Sequence, residues 1–310
     1  MSIIEQYDLR VKDVFLTNES LERISRSGIW NEGPVWLPNT QTLLWSDIPN
    51  DRIVSWNANR GESVWRSPAN FTNGHYLDRD GNLLHCSHSG RCILKTDLTT
   101  GDITTLVDRY NDKPLNSPND LVVKSDGSIW FTDPPYGILS DFEGYKADSE
   151  QAGNFVYCYS PETQALTLVC DQMEGPNGLA FSLDETQLYV SDTSITLPEK
   201  KVGHHHIMRY DVQVNSMGEY TLTNGCVFAN IHPGVSDGFR LDKNGWIYTS
   251  SQDSIQIYHP DGALMAKILV PEQVSNCTFG GDLGNVLFIT ASTSVYKITL
   301  NTQGANVESA

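Results

Sequence analysis

The chain has 310 residues, 39% of them hydrophobic, with seven Trp and thirteen Tyr, which is enough for a packed core. Its formal net charge of −17 argues against nucleic-acid binding, because few basic groups would neutralise phosphates. The six cysteines show no CxxC pair or regular spacing, so we expect buried thiols in a reducing, cytoplasmic compartment. We expect neither a signal peptide nor a membrane span, since no apolar run approaches the required length.

A short phrase repeats six times along the chain. Each copy opens on an acid or an amide, usually continues with Gly or Asp, and runs through β-rich residues towards Asp, Ser or Thr. The copies open at Glu32, Asn73, Asn119, Asn177, Asp237 and Asn276, between 39 and 60 residues apart. This spacing is typical of a four-stranded propeller blade. We therefore predict an all-β fold, one six-bladed β-propeller over residues 1–310, with residues 1–28 packing on it or closing it.

In chain order, the same set of antiparallel strands is predicted in each copy. Before the first copy, only the stretch from Leu9 to Leu21 has any helical periodicity. Hairpin turns are predicted in the second, third and fifth copies at Asp80-Gly81, Asp126-Gly127 and Asn244-Gly245. Third strands begin near Asn154 and His206, and a fourth begins near Leu166.

Two insertions, residues 134–153 and 193–203, interrupt the repeat. Long loops on a rigid scaffold often carry binding residues. The first insertion starts with Pro-Pro-Tyr-Gly directly after a strand, which favours a pocket wall. The second is equally consistent with a solvated loop. The three histidines at 204–206 resemble a metal-binding tract, but neighbours in an extended segment point to opposite faces. They also lie away from the openings of the repeats, so we expect a surface loop there.

The opening residues of the copies are candidate metal ligands. Innermost strands of a propeller converge on its axis, so equivalent positions at their starts face one point. Glu32, Asn119, Asn177 and Asp237 open the four clearest copies, the first, third, fourth and fifth, whereas Asn73 and Asn276 open two weaker copies. Two carboxylates and two amides suit Ca²⁺, with Mg²⁺ or Mn²⁺ as alternatives, whereas Zn²⁺ normally binds His or Cys. The alternative for each position taken singly is a turn formed by Asn or Asp at a strand start.

The phrases NEGPVW, LNSPNDLVV, FTDPPYG, GPNGLAFS, VSDGFRLD and CTFGGDLGNVLFIT resemble the gluconolactonase and regucalcin (senescence marker protein) family of six-bladed propellers, particularly its bacterial-type gluconolactonase branch. The resemblance implies hydrolysis of a sugar lactone with one divalent cation: Ca²⁺ foremost, or Mg²⁺, Mn²⁺ or Zn²⁺. It places that cation on Glu32, Asn119, Asn177 and Asp237. In the animal branch an Arg two residues before the first Asn contacts the lactone. Ser117 stands there in this chain, which leaves the identity of the sugar open.

For such a reaction, the cation would polarise the lactone carbonyl and stabilise the charge that develops on its oxygen. The family assigns Asp237 the role of general base, although binding to a dication lowers a carboxylate's pKa and makes it a weaker base. The alternative nucleophile is a metal-bound hydroxide that Asp237 only orients. We expect Asp120 to orient the adjacent ligand through a hydrogen bond. The candidate substrate contacts are Asn73, His75, Tyr136 and Asn276.

Two other functions stay open. A Ca²⁺-dependent propeller of related type can hydrolyse esters or organophosphates, and a predominantly apolar pocket would favour that reading. A non-catalytic Ca²⁺-binding or protein-interaction propeller would enclose its ion. His88 has no evident partner, and neither a G-x-S-x-G motif nor a Gly-rich phosphate loop occurs. We expect a small-molecule partner, no nucleic acid or membrane, and either a monomer or a homodimer.

Overall fold

Six antiparallel sheets surround a central axis in the computed structural model, which describes residues 3–17, 20–198 and 200–305. The innermost strand of every sheet contacts the innermost strands of the two neighbouring sheets, so the sheets form a closed ring. The prediction of an all-β, six-bladed propeller is therefore confirmed. The described residues include no helix long and apolar enough to cross a membrane.

The strands, in chain order, are β1 (Ile4–Gln6), β2 (Glu22–Ser25), β3 (Asn31–Leu37), β4 (Thr42–Asp47), β5 (Arg52–Asn57), β6 (Gly61–Arg66), β7 (Thr72–Leu77), β8 (Leu83–Ser87), β9 (Cys92–Thr96), β10 (Ile103–Val107), β11 (Arg109–Tyr110), β12 (Lys113–Pro114), β13 (Leu121–Val123), β14 (Ile129–Asp133), β15 (Phe155–Tyr159), β16 (Leu166–Cys170), β17 (Pro176–Phe181), β18 (Gln187–Asp192), β19 (His206–Val214), β20 (Tyr220–Asn230), β21 (Phe239–Leu241), β22 (Ile247–Ser250), β23 (Ser254–Tyr258), β24 (Leu264–Leu269), β25 (Val274–Gly280), β26 (Val286–Ala291) and β27 (Val295–Thr299). Short 3₁₀ helices cover Leu9–Asp13, Pro38–Thr40, Ile48–Asn50, Tyr136–Ile138 and Ser194–Thr196.

Blades one to four each use four consecutive strands: β3–β6, β7–β10, β13–β16 and β17–β20. Blades five and six take strands from the start of the chain. In blade five, β1 pairs with β24, and in blade six, β2 pairs with β27 as the outermost strand. Between them, Val11 and Val14 are buried in the core shared by these blades. Where the stretch from Leu9 to Leu21 is described, at 9–17 and 20–21, its helical structure is the short 3₁₀ helix Leu9–Asp13.

Apolar side chains from facing blades pack into the core. Trp45, Trp130 and Phe288 are almost fully buried, and Trp36 of blade one stacks on Phe288 of blade six with ring centroids 5.2 Å apart. Burying one such side chain stabilises the fold by about 1.5–3 kcal/mol, so these contacts hold the last blade against the first. The cysteines are all unpaired; five are buried as expected, but Cys226 is exposed because it lies on the outermost strand β20.

The repeated phrase has a packing origin. Gly178 donates its backbone N–H to the carbonyl oxygen of Asp237 in the next blade, at 2.9 Å, and a Cβ at Gly178 would lie 2.4 Å from that oxygen. Likewise, a Cβ at Gly33 would lie 2.1 Å from the carbonyl oxygen of Asn73. Glycine after the oxygen-bearing residue therefore lets adjacent inner strands approach closely enough to bring their openings together.

β-Bulges lie at the same openings. Strand register shifts between Glu32 and Val35 in β3, between Thr72 and His75 in β7, and in β17 and β25 as well. A bulge breaks the alternation of side chains between the two faces of a sheet and changes where the local side chain points. The openings therefore do not follow the simple period of two that the rest of each strand obeys.

Substituting Gly178 with Ala tests this packing. Where space is available, Gly→Ala in a strand stabilises a protein by up to about 1 kcal/mol, because the unfolded chain loses freedom. At Gly178 we expect the opposite sign, a loss of about 1–3 kcal/mol in the free energy of unfolding, because the new methyl group meets the Asp237 carbonyl. Urea denaturation of both proteins measures the difference. Equal or greater stability of the variant would contradict the close approach.

Candidate functional site

A cavity of about 220 Å³ lies where the inner-strand openings converge. It brings together all four residues predicted to bind a metal. Its walls are mostly polar, and no Lys, Arg or His lines it among the described residues. The lining residues are Trp30, Glu32, Asn73, Asn119, Tyr136, Glu143, Asn177, Thr193, Thr196, Val235, Asp237 and Gln273.

Glu32 holds a buried carboxylate in this cavity, only 3% exposed. Its Oε2 accepts hydrogen bonds from the backbone N–H of Gly33 (2.7 Å) and from Nδ2 of Asn276 (3.1 Å). Its Oε1 is also buried but has no hydrogen-bond partner. Burial, reinforced by the negative charge of Asp237, raises the pKa of Glu32 well above its usual value. The Glu32 Oε1 atom is thus an oxygen donor without a ligand from the chain.

Asp237 faces the same space. Burial is the main reason that its pKa rises from 3.8 to about 8, and the charge of Glu143 adds to the effect. A hydrogen bond from Asn177 works in the opposite direction, because it stabilises the ionised form. The pKa values of both Glu32 and Asp237 are therefore raised. No positively charged side chain among the described lining residues stabilises their ionised forms.

Asn177 and Asn119 are held by their neighbours. Nδ2 of Asn177 donates to Oγ1 of Thr193 (3.2 Å), and Oγ1 of Thr193 lies 2.6 Å from the hydroxyl oxygen of Tyr136. Asn119 donates its backbone N–H to the carbonyl of Thr132 (2.9 Å). Tyr136 comes from the first insertion and Thr193 opens the second, so the two insertions meet at the cavity. The second insertion is therefore not merely a solvated loop.

The donor set fits a hard divalent cation. Glu32, Asn119, Asn177 and Asp237 supply carboxylate and amide oxygens, which Ca²⁺ and similar ions prefer. The unpartnered Oε1 of Glu32 and the two uncompensated carboxylates are the features that a dication would satisfy. Within 3–17, 20–198 and 200–305, no three His, Cys, Asp or Glu side chains form a metal-binding cluster. The proposed donor set has only two residues of these types, Glu32 and Asp237, because its other two members are asparagines.

The substrate contacts predicted from sequence divide into two groups. Asn73 and Tyr136 line the cavity. His75 does not: its Nε2 lies 2.7 Å from Oγ of Ser46 and its Nδ1 lies 2.8 Å from Nδ1 of His85. The β7 bulge before His75 separates its direction from that of Asn73, and burial lowers the pKa of His75 to about 3. His75 therefore lies outside the lining of the cavity, and its contact with substrate stays a prediction without support from this geometry.

Asn276 was also predicted to contact substrate, but it is not among the residues that line the cavity. Its Nδ2 donates to Glu32 and its Oδ1 accepts from the backbone N–H of Cys277 (2.8 Å). Both ends of the amide are thus occupied within the protein, and the residue is buried behind Glu32. Asn276 acts as a support that holds the Glu32 carboxylate in place.

Asp120 lies beneath the site rather than in it. Its carboxylate pairs with the guanidinium of Arg240 (3.2 Å), and its Oδ1 accepts from the backbone N–H of Leu121 (2.8 Å). Both Asp120 and Arg240 are buried. The hydrogen bonds of the Asp120 side chain go to these groups and not to Asn119, so the hydrogen bond predicted to orient a ligand is not among them. The ion pair instead joins blade three to blade five below the cavity.

Glu143, which lines the cavity, and His88, which contacts it from behind the wall, were not predicted from sequence. Glu143 lies in the middle of the first insertion, where no motif marks it, and burial raises its pKa to about 7. His88 donates from Nδ1 to the Glu143 carbonyl (2.8 Å), while its Nε2 lies 3.3 Å from Nδ2 of Asn73. His88 thus connects the insertion to a cavity wall. By contrast, the histidines at 204–206 lie outside the cavity, and the rings of His204 and His206 stack on each other.

The chain is similar in sequence and fold to several known proteins. A family model described as SMP-30/gluconolactonase/LRE-like region matches residues 30–293. A gluconolactonase of Zymomonas mobilis is 31% identical, and the alignment covers 97% of this chain and 87% of that protein. The solved structure of a gluconolactonase from Xanthomonas campestris is 35% identical, with a TM-score of 0.86 and coverage of 96% and 94%. Regucalcin from Agrobacterium tumefaciens, described as a calcium-binding protein, shares the fold at 20% identity, with a TM-score of 0.73 and coverage of 92% and 95%.

The two carboxylates predict how the stability of the metal-free protein depends on pH. The folded protein holds the Asp237 proton more tightly than the unfolded chain does, because the pKa of Asp237 is raised from 3.8 to about 8. The stability that this proton contributes is fully present below about pH 4 and is lost as pH rises through 8. We therefore expect the Tm of chelator-treated protein to fall across this range, and to fall less in Asp237→Asn. The exposed Asp148 offers a matched control, Asp148→Asn, which should retain the full slope. Equal slopes in all three proteins would contradict the uncompensated charge.

Proposed function

The chain belongs to the SMP-30/gluconolactonase/LRE-like family, and we propose that it is a metal-dependent sugar lactonase. It would hydrolyse an aldonolactone, such as glucono-1,5-lactone, to the open-chain aldonic acid. The observation that carries this proposal is a polar cavity in which two carboxylates and two amide side chains face one space. The family relationship supports the lactone as the substrate class, and the cavity supports the residues assigned below.

In this proposal Glu32, Asn119, Asn177 and Asp237 hold one divalent cation. The unpartnered Oε1 of Glu32 and the raised pKa values of Glu32 and Asp237 support the assignment, because a nearby dication would stabilise both ionised carboxylates. When bound, such a cation supplies Lewis-acid polarisation of the lactone carbonyl. Ca²⁺ is the ion that the oxygen-only donor set favours first.

Asp237 is the proposed general base. As water attacks the carbonyl carbon, a proton passes from the water to the Asp237 carboxylate. The bond between the carbonyl carbon and the ring oxygen then breaks, and the proton goes to the departing ring oxygen, which becomes a hydroxyl group. The negative charge of Glu143 raises the pKa of Asp237, and the hydrogen bond from Asn177 lowers it. Both neighbours therefore affect how readily Asp237 accepts the proton.

Asn73 and Tyr136 are proposed to position the lactone ring. Tyr136 keeps its phenol in place through Thr193, and Asn73 keeps its amide in place through His88. Positioning groups that are already held in the free protein lose less entropy when substrate binds. Burial of Tyr136 raises its pKa to about 12, so it remains a neutral hydrogen-bonding group at physiological pH.

The polar wall also bears on the alternatives. Only Trp30 and Val235 contribute a largely apolar side chain among the described lining residues, which favours a hydroxylated substrate over an apolar ester or organophosphate. The volume of about 220 Å³ leaves room for a ligand besides an ion and its waters, since one water occupies about 30 Å³ in the liquid. A purely structural ion would not require that space.

The proposed activity predicts acid release that depends on metal. With Ca²⁺ present, we expect hydrolysis of glucono-, galactono-, xylono- or arabinono-lactone above the spontaneous rate, measured with a pH indicator. Chelation should abolish the enzymatic part, and restored Ca²⁺ should recover it. Absence of chelator-sensitive hydrolysis with all four lactones would contradict the proposal.

Asp237→Asn tests the assigned base. The variant retains an oxygen donor, but its amide cannot accept the proton, so we expect kcat to fall by at least about 100-fold. Asp148→Asn, an exposed position on the first insertion, is the matched control and should leave kcat unchanged. Calorimetric titration with Ca²⁺ separates loss of metal from loss of the base. Near-normal turnover by Asp237→Asn with retained metal affinity would show that Asp237 is not the base.

A further inference from the structure

We propose that Glu143 is the specificity-determining residue of the cavity, and that its carboxylate accepts hydrogen bonds from the ring hydroxyl groups of the lactone. The inference rests on the proposed lactonase function and extends it. It names the residue by which the cavity would distinguish a polyhydroxylated lactone from a lactone that lacks hydroxyl groups. Glu143 lies in the insertion, outside all six copies of the repeated phrase.

The backbone around Glu143 is held firmly against the propeller. His88 donates to the Glu143 carbonyl at 2.8 Å, and the backbone N–H of Ala147 donates to the carbonyl of Ile138 at 3.0 Å. The ring of Tyr145 packs edge-on against Phe71 of blade two, with centroids 5.4 Å apart. The position of Glu143 at the cavity is therefore set by the fold before any substrate binds.

The Glu143 side chain, in contrast, lacks a partner within the protein. It is half-buried and lines the cavity, yet no described residue donates a hydrogen bond to its carboxylate or forms an ion pair with it. Two other acidic residues of the same insertion have partners: Glu150 pairs with Arg91, and Asp141 accepts from the backbone of Lys146. A third, Asp148, is exposed to solvent, whereas Glu143 is half-buried. A partly desolvated carboxylate without donors is an acceptor site prepared for a ligand.

The charge of the cavity specifies which ligand suits this acceptor. Glu32 and Asp237 would be balanced by one dication, which leaves the negative charge of Glu143 in excess. Hydroxyl groups donate to a carboxylate without adding charge, and a carboxylate can accept from two neighbouring hydroxyls at once. A neutral polyhydroxylated lactone supplies such donors, whereas an unsubstituted lactone has none. Glu143 therefore discriminates by the hydroxyl groups rather than by the ester bond.

The test compares two substrates in Glu143→Gln, which preserves shape and removes the charge. For glucono-1,5-lactone we expect kcat/KM to fall about tenfold or more, mainly through KM, because hydrogen bonds to charged groups are the stronger ones. For δ-valerolactone, which has no hydroxyl groups, we expect a change below about twofold. Asp148→Asn makes the same charge change at an exposed site of the same insertion and should alter neither value.

A binding measurement separates this inference from the proposed activity. Gluconolactam keeps the hydroxyl groups and resists hydrolysis, so calorimetry with Ca²⁺ present reports recognition without turnover. We expect its affinity to fall about tenfold or more in Glu143→Gln, while Ca²⁺ affinity and Tm stay close to wild type. If no lactone is hydrolysed but this loss appears, the activity is wrong and hydroxyl recognition by Glu143 stands. Unchanged lactam affinity, no lactam binding to wild type, or an equal fall with both lactones would overturn the role of Glu143.

Discussion

Glu32 and Asp237 direct two carboxylates into one cavity at the end of the propeller axis, where burial makes both charges unfavourable. Each has a raised pKa, and one Glu32 oxygen has no hydrogen-bond partner. No Lys or Arg among the described lining residues offsets them. Unpaired buried charge destabilises a protein, so its presence here indicates that the cavity is built for a positively charged ligand. The proposed metal site, the proposed role of Asp237 as the base and the proposed role of Glu143 all depend on this arrangement.

The rest of the fold serves to hold these groups close together. Glycines after the opening residues allow neighbouring inner strands to approach, as Gly178 does against Asp237. Strand β2, from the start of the chain, pairs with the last strand and completes blade six, which keeps the ring closed. Behind the cavity, Asn276 supports Glu32, and the two insertions meet through Tyr136 and Thr193. A propeller is suited to such a site because the inner strands of separate blades bring the side chains at their openings to the same place.

The architecture and the meeting of four oxygen donors at one cavity could be predicted from the sequence. Both follow from the repeated phrase and its spacing, which can be recognised in the amino-acid sequence alone. The sequence was insufficient wherever geometry departs from that repeat. Asn73 and His75 lie only two positions apart, but the bulge in β7 lies between Thr72 and His75. Asn73 lines the cavity, whereas the His75 side chain is buried and hydrogen-bonds to Ser46. Asn276 occupies a position in its repeat equivalent to that of the proposed ligands, yet its side-chain amide donates a hydrogen bond to Glu32. Glu143 depends on how a non-repeating insertion folds, and nothing in its neighbouring residues marks it.

The central claim is that one dication binds where the openings of four blades meet. Crystals grown with Mn²⁺, or soaked in it after Ca²⁺ growth, would locate that ion by its anomalous scattering. The account predicts one strong peak within about 2.0–2.6 Å of oxygens from Glu32, Asn119, Asn177 and Asp237, the range of metal–oxygen bonds for such ions. A map with no peak in this cavity, or with its strongest peak bound to other residues, would contradict the account.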